Sequence, residues 1–254
     1  MLTRLLRIAT ITFAALMLTA CGGIGPSEES IQRLGVLKVA IEKSPHLYES
    51  NDQIIGFEFD LIQQYAKYLG VKLEPTYVDS AAEVKALVSS HRVQLGIGML
   101  PVTHTSTDFS FGPTIKVTNT VVVAHTDSDK IRSVGDLEDL SIAVSDPSLA
   151  INAFLPTDAS AFNTTEMPGA NADTLLALVD QDAFDAAIIT ETDFLLLKRK
   201  YPYLQKRFTL REAVPLAWIV PKPSSPQLLA SLQQFFQPQT TNGYTAKRRH
   251  FYIN

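Results

Sequence analysis

The stretch from Ile55 to Pro113 switches repeatedly between two hydrophobic periods, and few folds accept that alternation. From Phe57, apolar residues recur at Phe57, Leu61, Ile62, Tyr65, Ala66 and Leu69, the period of a helix with one buried face. Glu58 and Asp60 stand in its first turn, where acids suit the positive end of the dipole, and Gly70 offers a left-handed stop. Val71 to Glu74 begins a strand, in which Pro75 predicts an irregularity or a sheet edge. Asp79 or Ser80 then caps a second helix with Val84, Leu87 and Val88 on one face, and Val93 to Ile97 reads as a buried strand. Strand, helix, strand, helix, strand predicts a parallel sheet with right-handed crossovers. Ligands in such sheets bind beyond the carboxyl ends of the strands, here residues 99–106.

A second α/β unit follows. The β-branched run Asn119 to His125 leaves the first unit, and the strand Leu140 to Val144 precedes a helix from Pro147. A further helix carries Ala172, Leu175, Leu176 and Val179, and Phe184 to Ile189 reads as another buried strand. Pro215 to Pro221 reads as a returning strand, and a final helix carries Leu228, Leu229, Leu232, Phe235 and Phe236.

The amino terminus reads as an address. Arg4 and Arg7 precede the apolar run Ile8 to Leu18, which is too short for a membrane span, and Leu18-Thr19-Ala20-Cys21 follows. This resembles a bacterial lipoprotein signal over residues 1–20, with Cys21 lipidated as the first mature residue. Residues 21–30 are then expected to be the lipidated cysteine and a flexible tether. Because Gly22, not aspartate, follows Cys21, the resemblance implies the periplasmic face of an outer membrane sooner than an inner one.

Composition narrows the chemistry. Cys21 is the only cysteine, so neither a disulfide framework nor a cysteine metal site is expected. The histidines lack metal spacing, and no nucleophile elbow, P-loop or paired-carboxylate pattern occurs, so no catalytic residue, metal or cofactor is expected. Loss of Arg4 and Arg7 with the signal takes the formal charge from −4 to −6, and no basic stripe suggests nucleic acid.

Gly56-Phe57-Glu58-Phe59-Asp60-Leu61, Gly98-Met99, Asp108-Phe109-Ser110, Phe184-Asp185-Ala186-Ala187 and Asn242-Gly243-Tyr244-Thr245-Ala246-Lys247 occur in that order. In this series the chain resembles the type II periplasmic solute-binding proteins, family 3, from about Ile31 to Tyr252. The resemblance implies an α/β fold of two lobes, each a mainly parallel sheet flanked by helices, joined by two hinge crossings. Lobe 1 is expected over residues 31–123, completed by 217–254; lobe 2 over 127–213; and the crossings at 124–126 and 214–216. Pro45 with Tyr48, Ala66 to Leu73, Gly112-Pro113-Thr114 and Trp218 ahead of Leu228 to Phe236 are similar to the non-catalytic amino-terminal part of the membrane-bound lytic transglycosylases F. Their lysozyme-like domain has no counterpart before Asn254, so an enzyme is not expected.

Amino-acid-binding members of the family hold the ligand carboxylate with an arginine soon after the Gly-Met step, and that position falls here on Thr105. Leu100 to Thr107 contains no Arg or Lys. Thr103 and Thr105 offer hydroxyls, worth about 1 kcal/mol each against about 1.5–3 for a charged partner, so a free amino acid in the usual pose is not expected. The family's Gly-Ser/Thr turn is replaced by Ser145-Asp146-Pro147-Ser148; Ser145 and Ser148 remain ligand candidates, while Asp146 puts its own charge in the anion site. The family's amine-binding aspartate aligns near Thr190, leaving adjacent Glu191 as a candidate for a cation, a peptide amine or a sugar hydroxyl. Asp193 reads as a solvated first-turn acid. Met99 follows the glycine step; Tyr48 stacks on ligand or packs against Phe57; Trp218 belongs to the core or the cleft; and His104 is a cleft contact or a solvated loop residue.

Three functional readings stay open. The first is a lipid-anchored periplasmic binding or sensor protein that closes on a cell-wall-derived peptide or similar small solute, with a transporter or peptidoglycan-processing partner. The second is a solute receptor of an ATP-driven importer with a non-standard ligand. The third is a scaffold whose cleft no longer binds amino acids.

Overall fold

The computed structural model describes residues 26–44, 47–50, 53–102, 106–146, 149, 162–223 and 226–241. The expected signal, Cys21, Thr103, His104, Thr105, Ser148 and the Asn242 to Lys247 segment lie outside the described residues, as does the helix expected from Pro147 apart from Leu149.

Helix α1 (Glu28–Leu34) starts inside the stretch expected to be tether. Ser27 and Ser30 form a reciprocal capping box, Glu28 and Glu29 occupy the first turn, and Ile31 is fully buried, so this segment has the caps and the apolar anchor a short helix needs. Strand β1 (Val36–Glu42) follows, then the hairpin β2 (Leu47–Ser50) and β3 (Gln53–Gly56). Helix α2 (Phe57–Leu69) buries the face predicted for it and ends on Gly70 at φ 72°. Strand β4 (Lys72–Val78) forms the edge that Pro75 predicts, helix α3 (Ala81–Ser89) is capped by Ser80, and strand β5 (Leu95–Pro101) completes the parallel group.

The second half contains β6 (Phe109–His125), β7 (Ser141–Val144), β8 (Asn163–Glu166), helix α4 (Ala172–Asp180), β9 (Ala186–Thr190), helix α5 (Glu191–Leu197), β10 (Leu204–Pro221) and helix α6 (Pro226–Thr241). One eight-stranded sheet runs β4-β1-β5-β10-β6-β9-β7-β8. Its parallel groups, β4-β1-β5 and β9-β7-β8, are joined by the long antiparallel pair β10 and β6.

Burial locates the two lobes on this sheet. Trp218, Val220, Leu228, Leu232 and Phe236 pack with β1, α2 and β5, and Ile219 packs with Val84 and Val88 on the other side. Val121 and Val123 pack with α4 and α5, while Val122 and Ala124 pack with Leu137, Ile142 and Ile188. Val121 to Ala124 therefore belong to the second lobe's core, and the first crossing precedes the 124–126 expected for it. The pairing Thr118↔Val214 and Thr120↔Arg211 brackets both crossings, and the ladder shifts register between Arg211 and Val214. Ala213, at φ 55°, lies within that irregularity. The second crossing thus lies just before residues 214–216, since Leu216 is already packed in the first lobe.

Candidate functional site

Four strand ends converge between the lobes. Glu42 closes β1, Met99 to Pro101 close β5, Ser145 and Asp146 follow β7, and Thr190 ends β9; with Ala81, Lys85, Gly98, Leu149, Ala170, Asn171, Ala172, Ile189 and Asp193 they line one cleft. This is the position that parallel strands dictate for a ligand. The free space among these residues is about 60 Å³, below the roughly 300–1,000 Å³ of pockets that enclose drug-sized ligands.

The floor of the cleft is a Gly-Met step under restraint. Gly98 has φ 151°, and a Cβ there would lie 2.7 Å from Glu42 Cβ, so glycine is what lets β1 and β5 approach. Met99 follows at φ 52°, an uncommon conformation for a non-glycine residue, and its N–H donates to Glu58 Oε2 at 2.7 Å. The other carboxylate oxygen, Glu58 Oε1, accepts from Trp218 Nε1 at 2.9 Å. Glu58, read from sequence as a first-turn dipole acid, is buried and ties α2, β5 and β10 together. Trp218 is a core residue, 1% exposed and 5.0 Å from the Phe236 ring centroid.

Charge in the cleft is mostly acidic. Glu42 is 9% exposed, and its carboxyl is pushed up to about 8 by burial first, then by Asp193 and Glu58, against a lowering influence of Lys85. Near neutral pH it is largely protonated and presents an O–H as well as an acceptor. Asp193 holds its place through Thr190, whose hydroxyl donates to Asp193 Oδ2 at 2.6 Å and accepts from the Asp193 N–H at 3.1 Å. Lys85, from lobe 1, reaches Asp146 Oδ2 of lobe 2 at 2.5 Å, with side chains only 23% and 16% exposed. Asn171 caps α4 through Oδ1 and donates from Nδ2 to the Asp79 carbonyl of the facing lobe at 3.4 Å. Among the described residues no group of acids and histidines has metal-binding geometry.

The sequence candidates divide. Met99 and Ser145 line the cleft. Tyr48 is placed on β2, paired with Ile55 of β3. Glu191 does not line the cleft: Lys206 Nζ donates to Oε1 at 2.6 Å and Asn119 Nδ2 to Oε2 at 2.6 Å, with Lys206 first and Asn119 second in holding its carboxyl below the usual range. It braces the crossing, where Asn119 Oδ1 also accepts the N–H of Ala213 at 3.2 Å. Asp193, read as solvated, turns into the cleft instead, because the first turn of α5 starts directly at the end of β9. Glu42, Lys85 and Asn171 are lining residues that no motif marks; the one available signal for Glu42 is the glycine required opposite it.

The model of the bacterial extracellular solute-binding proteins, family 3, matches residues 37–254. The chain belongs to that family. Among curated relatives, this solute-binding protein is 27% identical over 237 residues to the membrane-bound lytic murein transglycosylase F of Aeromonas hydrophila, a match covering 91% of this chain and 48% of that one. The chain thus spans about half the length of the curated relatives it matches. Among solved structures, the amino acid ABC transporter substrate-binding protein AbpA of Streptococcus pneumoniae, bound to L-arginine, is similar at TM-score 0.76 and 21% identity, covering 89% of this chain and 97% of that one. The periplasmic domain of BvgS from B. pertussis is similar at TM-score 0.76 and 18% identity, covering 89% and 45%. At these identities the structural likeness speaks for the fold of this solute-binding protein. Its family and its transglycosylase relatives point to the cell envelope.

Proposed function

We propose that this protein is a lipid-anchored, non-catalytic binding or sensor module of the periplasm whose cleft closes on a cationic group of a cell-wall-derived peptide or similar small solute. The observation that carries the reading is the acceptor set of the cleft: the Asp193 carboxylate and the largely protonated Glu42 carboxyl stand beside an Asp146 paired with Lys85, the single lysine among its described lining residues. A ligand ammonium entering there meets acceptors from both lobes, and it stabilises the closed state only by the difference between its closed-state and open-state contacts. The transglycosylase relatives favour a cell-wall peptide, whose amines meet this requirement, and Cys21 supplies the anchor.

The importer-receptor reading draws support from AbpA, bound to L-arginine, a ligand that is itself cationic. The scaffold reading draws on the Lys85–Asp146 pair, which fills the cleft with the protein's own charges.

Thermal unfolding of residues 22–254 with muropeptides and with free amino acids separates the three. A ligand at about 100 times its dissociation constant adds about 2.7 kcal/mol, a rise of roughly 5–10 °C for a chain of this size. A rise with muropeptides alone supports the cell-wall reading, and a comparable rise with L-arginine or another free amino acid replaces it with the importer reading. No rise with either leaves the scaffold. The mass of the native chain tests acylation at Cys21 separately.

A further inference from the structure

We propose that the face formed by the carboxyl ends of α1 and α2 docks on an anionic lipid surface; its orientation rests on the anchoring at Cys21 proposed above. Leu34 is 66% exposed and Tyr68 51% exposed, and each lies one helical turn beyond a fully buried residue of the same core, Ile31 and Tyr65. The two helix ends are linked by the Lys72 N–H, which donates to the Gly35 carbonyl at 3.0 Å. Tyr68 is fixed from behind, its ring centroid 6.1 Å from Tyr65 and 5.8 Å from Phe235, so the exposed side is presented without freedom to fold inward. A phenol ring set on an apolar base is the side-chain type that belts membrane interfaces.

Charge complements the apolar pair. Arg33, Lys67 and Lys72 are all exposed at these same helix ends, and among the described residues none of them is ion-paired. The nearest acid in the following strand, Glu74, faces Lys38 at 3.8 Å. An apolar-aromatic centre within a cationic rim is the pattern that anionic headgroups attract. Chain length keeps the surface near the bilayer. Seven residue steps separate Cys21 from Glu28, about 25 Å at full extension, so an acylated Cys21 keeps α1 within that reach of the bilayer. A weak surface so tethered works at high effective concentration. The other exposed apolar residues, Val117, Leu195 and Tyr203, lie on β6, α5 and the approach to β10; Leu195 and Tyr203 also stand near the basic residues Lys198 and Arg199, but they belong to the second lobe and not to the one that carries α1.

Residues 22–254 contain every described residue and no cysteine, so single labels are available. The fragment, with a hexahistidine tag in place of the lipid, is held on vesicles containing a nickel-chelating lipid and phosphatidylglycerol. A polarity-sensitive dye is placed on Leu34→Cys, Tyr68→Cys or, as control, Tyr203→Cys. Brominated lipids are expected to quench and blue-shift the dye at 34 and 68 and to leave it unchanged at 203, and the triple variant Arg33→Glu, Lys67→Glu, Lys72→Glu is expected to lose the quenching. Equal behaviour at all three sites overturns the proposal. So does a blue shift that appears without vesicles and grows with protein concentration, since that identifies a second copy as the occupant. The tag replaces the acyl chains, so neither result depends on whether Cys21 is acylated.

Discussion

Glu42 ends an apolar strand and is followed by Lys43, a context in which an acid ordinarily reaches water; here the facing lobe and the α2 acid deny it that. Its carboxyl is raised from about 4.5 to about 8, chiefly by burial. Between those values the folded protein holds a proton that the unfolded chain has released. The stabilisation from Glu42 is therefore complete below about 4.5 and is lost as pH rises through about 8. Glu42→Gln is expected to flatten the fall in stability over that window, measured by urea unfolding at stepped pH; an unchanged slope removes Glu42 as its source. Gly98 tests the same contact from the other strand. Gly98→Ala sets a Cβ 2.7 Å from Glu42 Cβ at φ 151°, and a loss of about 3 kcal/mol is expected. The loss should shrink in a Glu42→Gly background, and a double-mutant cycle reads the coupling directly.

At the scale of elements, the helices and parallel strands were legible because each keeps one period with one buried face. Phe57, Leu61, Ile62, Tyr65, Ala66 and Leu69 are all buried as read, and Ser80 and Gly70 cap as read. The crossings are hard to place from sequence because β6 does not change period as it passes from one core to the next: Val121 to Ala124 continue the same extended run. What marks the passage is polar, in Thr118, Asn119 and Thr120, and its meaning depends on partners distant in sequence. Thr118 meets Thr192 at 2.8 Å, Lys116 donates to Thr192 at 2.9 Å, and Asn119 joins Ala213 to Glu191. The same dependence hid Glu191 and Asp193, two acids of one helical turn, of which one braces the crossing and the other lines the cleft. Asn119→Ala leaves the Ala213 N–H and one Glu191 oxygen without their partner. A cost of about 1–3 kcal/mol in chemical unfolding is expected, with Asn119→Asp no substitute because its charge opposes Glu191.

For the molecule as a whole, the proposed balance between open and closed states would rest, among the described residues, on few contacts between lobes. Lys85 to Asp146 is the one ion pair among the described residues that joins α3 to the end of β7, and Asn171 to the Asp79 carbonyl is a long hydrogen bond beside it. A pair this sheltered lies between the 0–1 kcal/mol of exposed pairs and the larger cost of stranding a buried charge, so losing it shifts the balance roughly tenfold. Asp146→Asn is expected to raise the radius of gyration in small-angle scattering without ligand, and added salt should do the same in the native chain by screening. An unchanged radius assigns closure to the apolar contacts alone. The paired strands β6 and β10 carry a different consequence. The chain enters the second lobe at Thr120 and leaves it at Arg211, and those two residues face each other in the ladder. In gene-architecture terms the second lobe is a cassette spliced into the first, with both splice points on one rung, so an exchange of this cassette between relatives would alter half of the cleft while leaving the first lobe and its core intact.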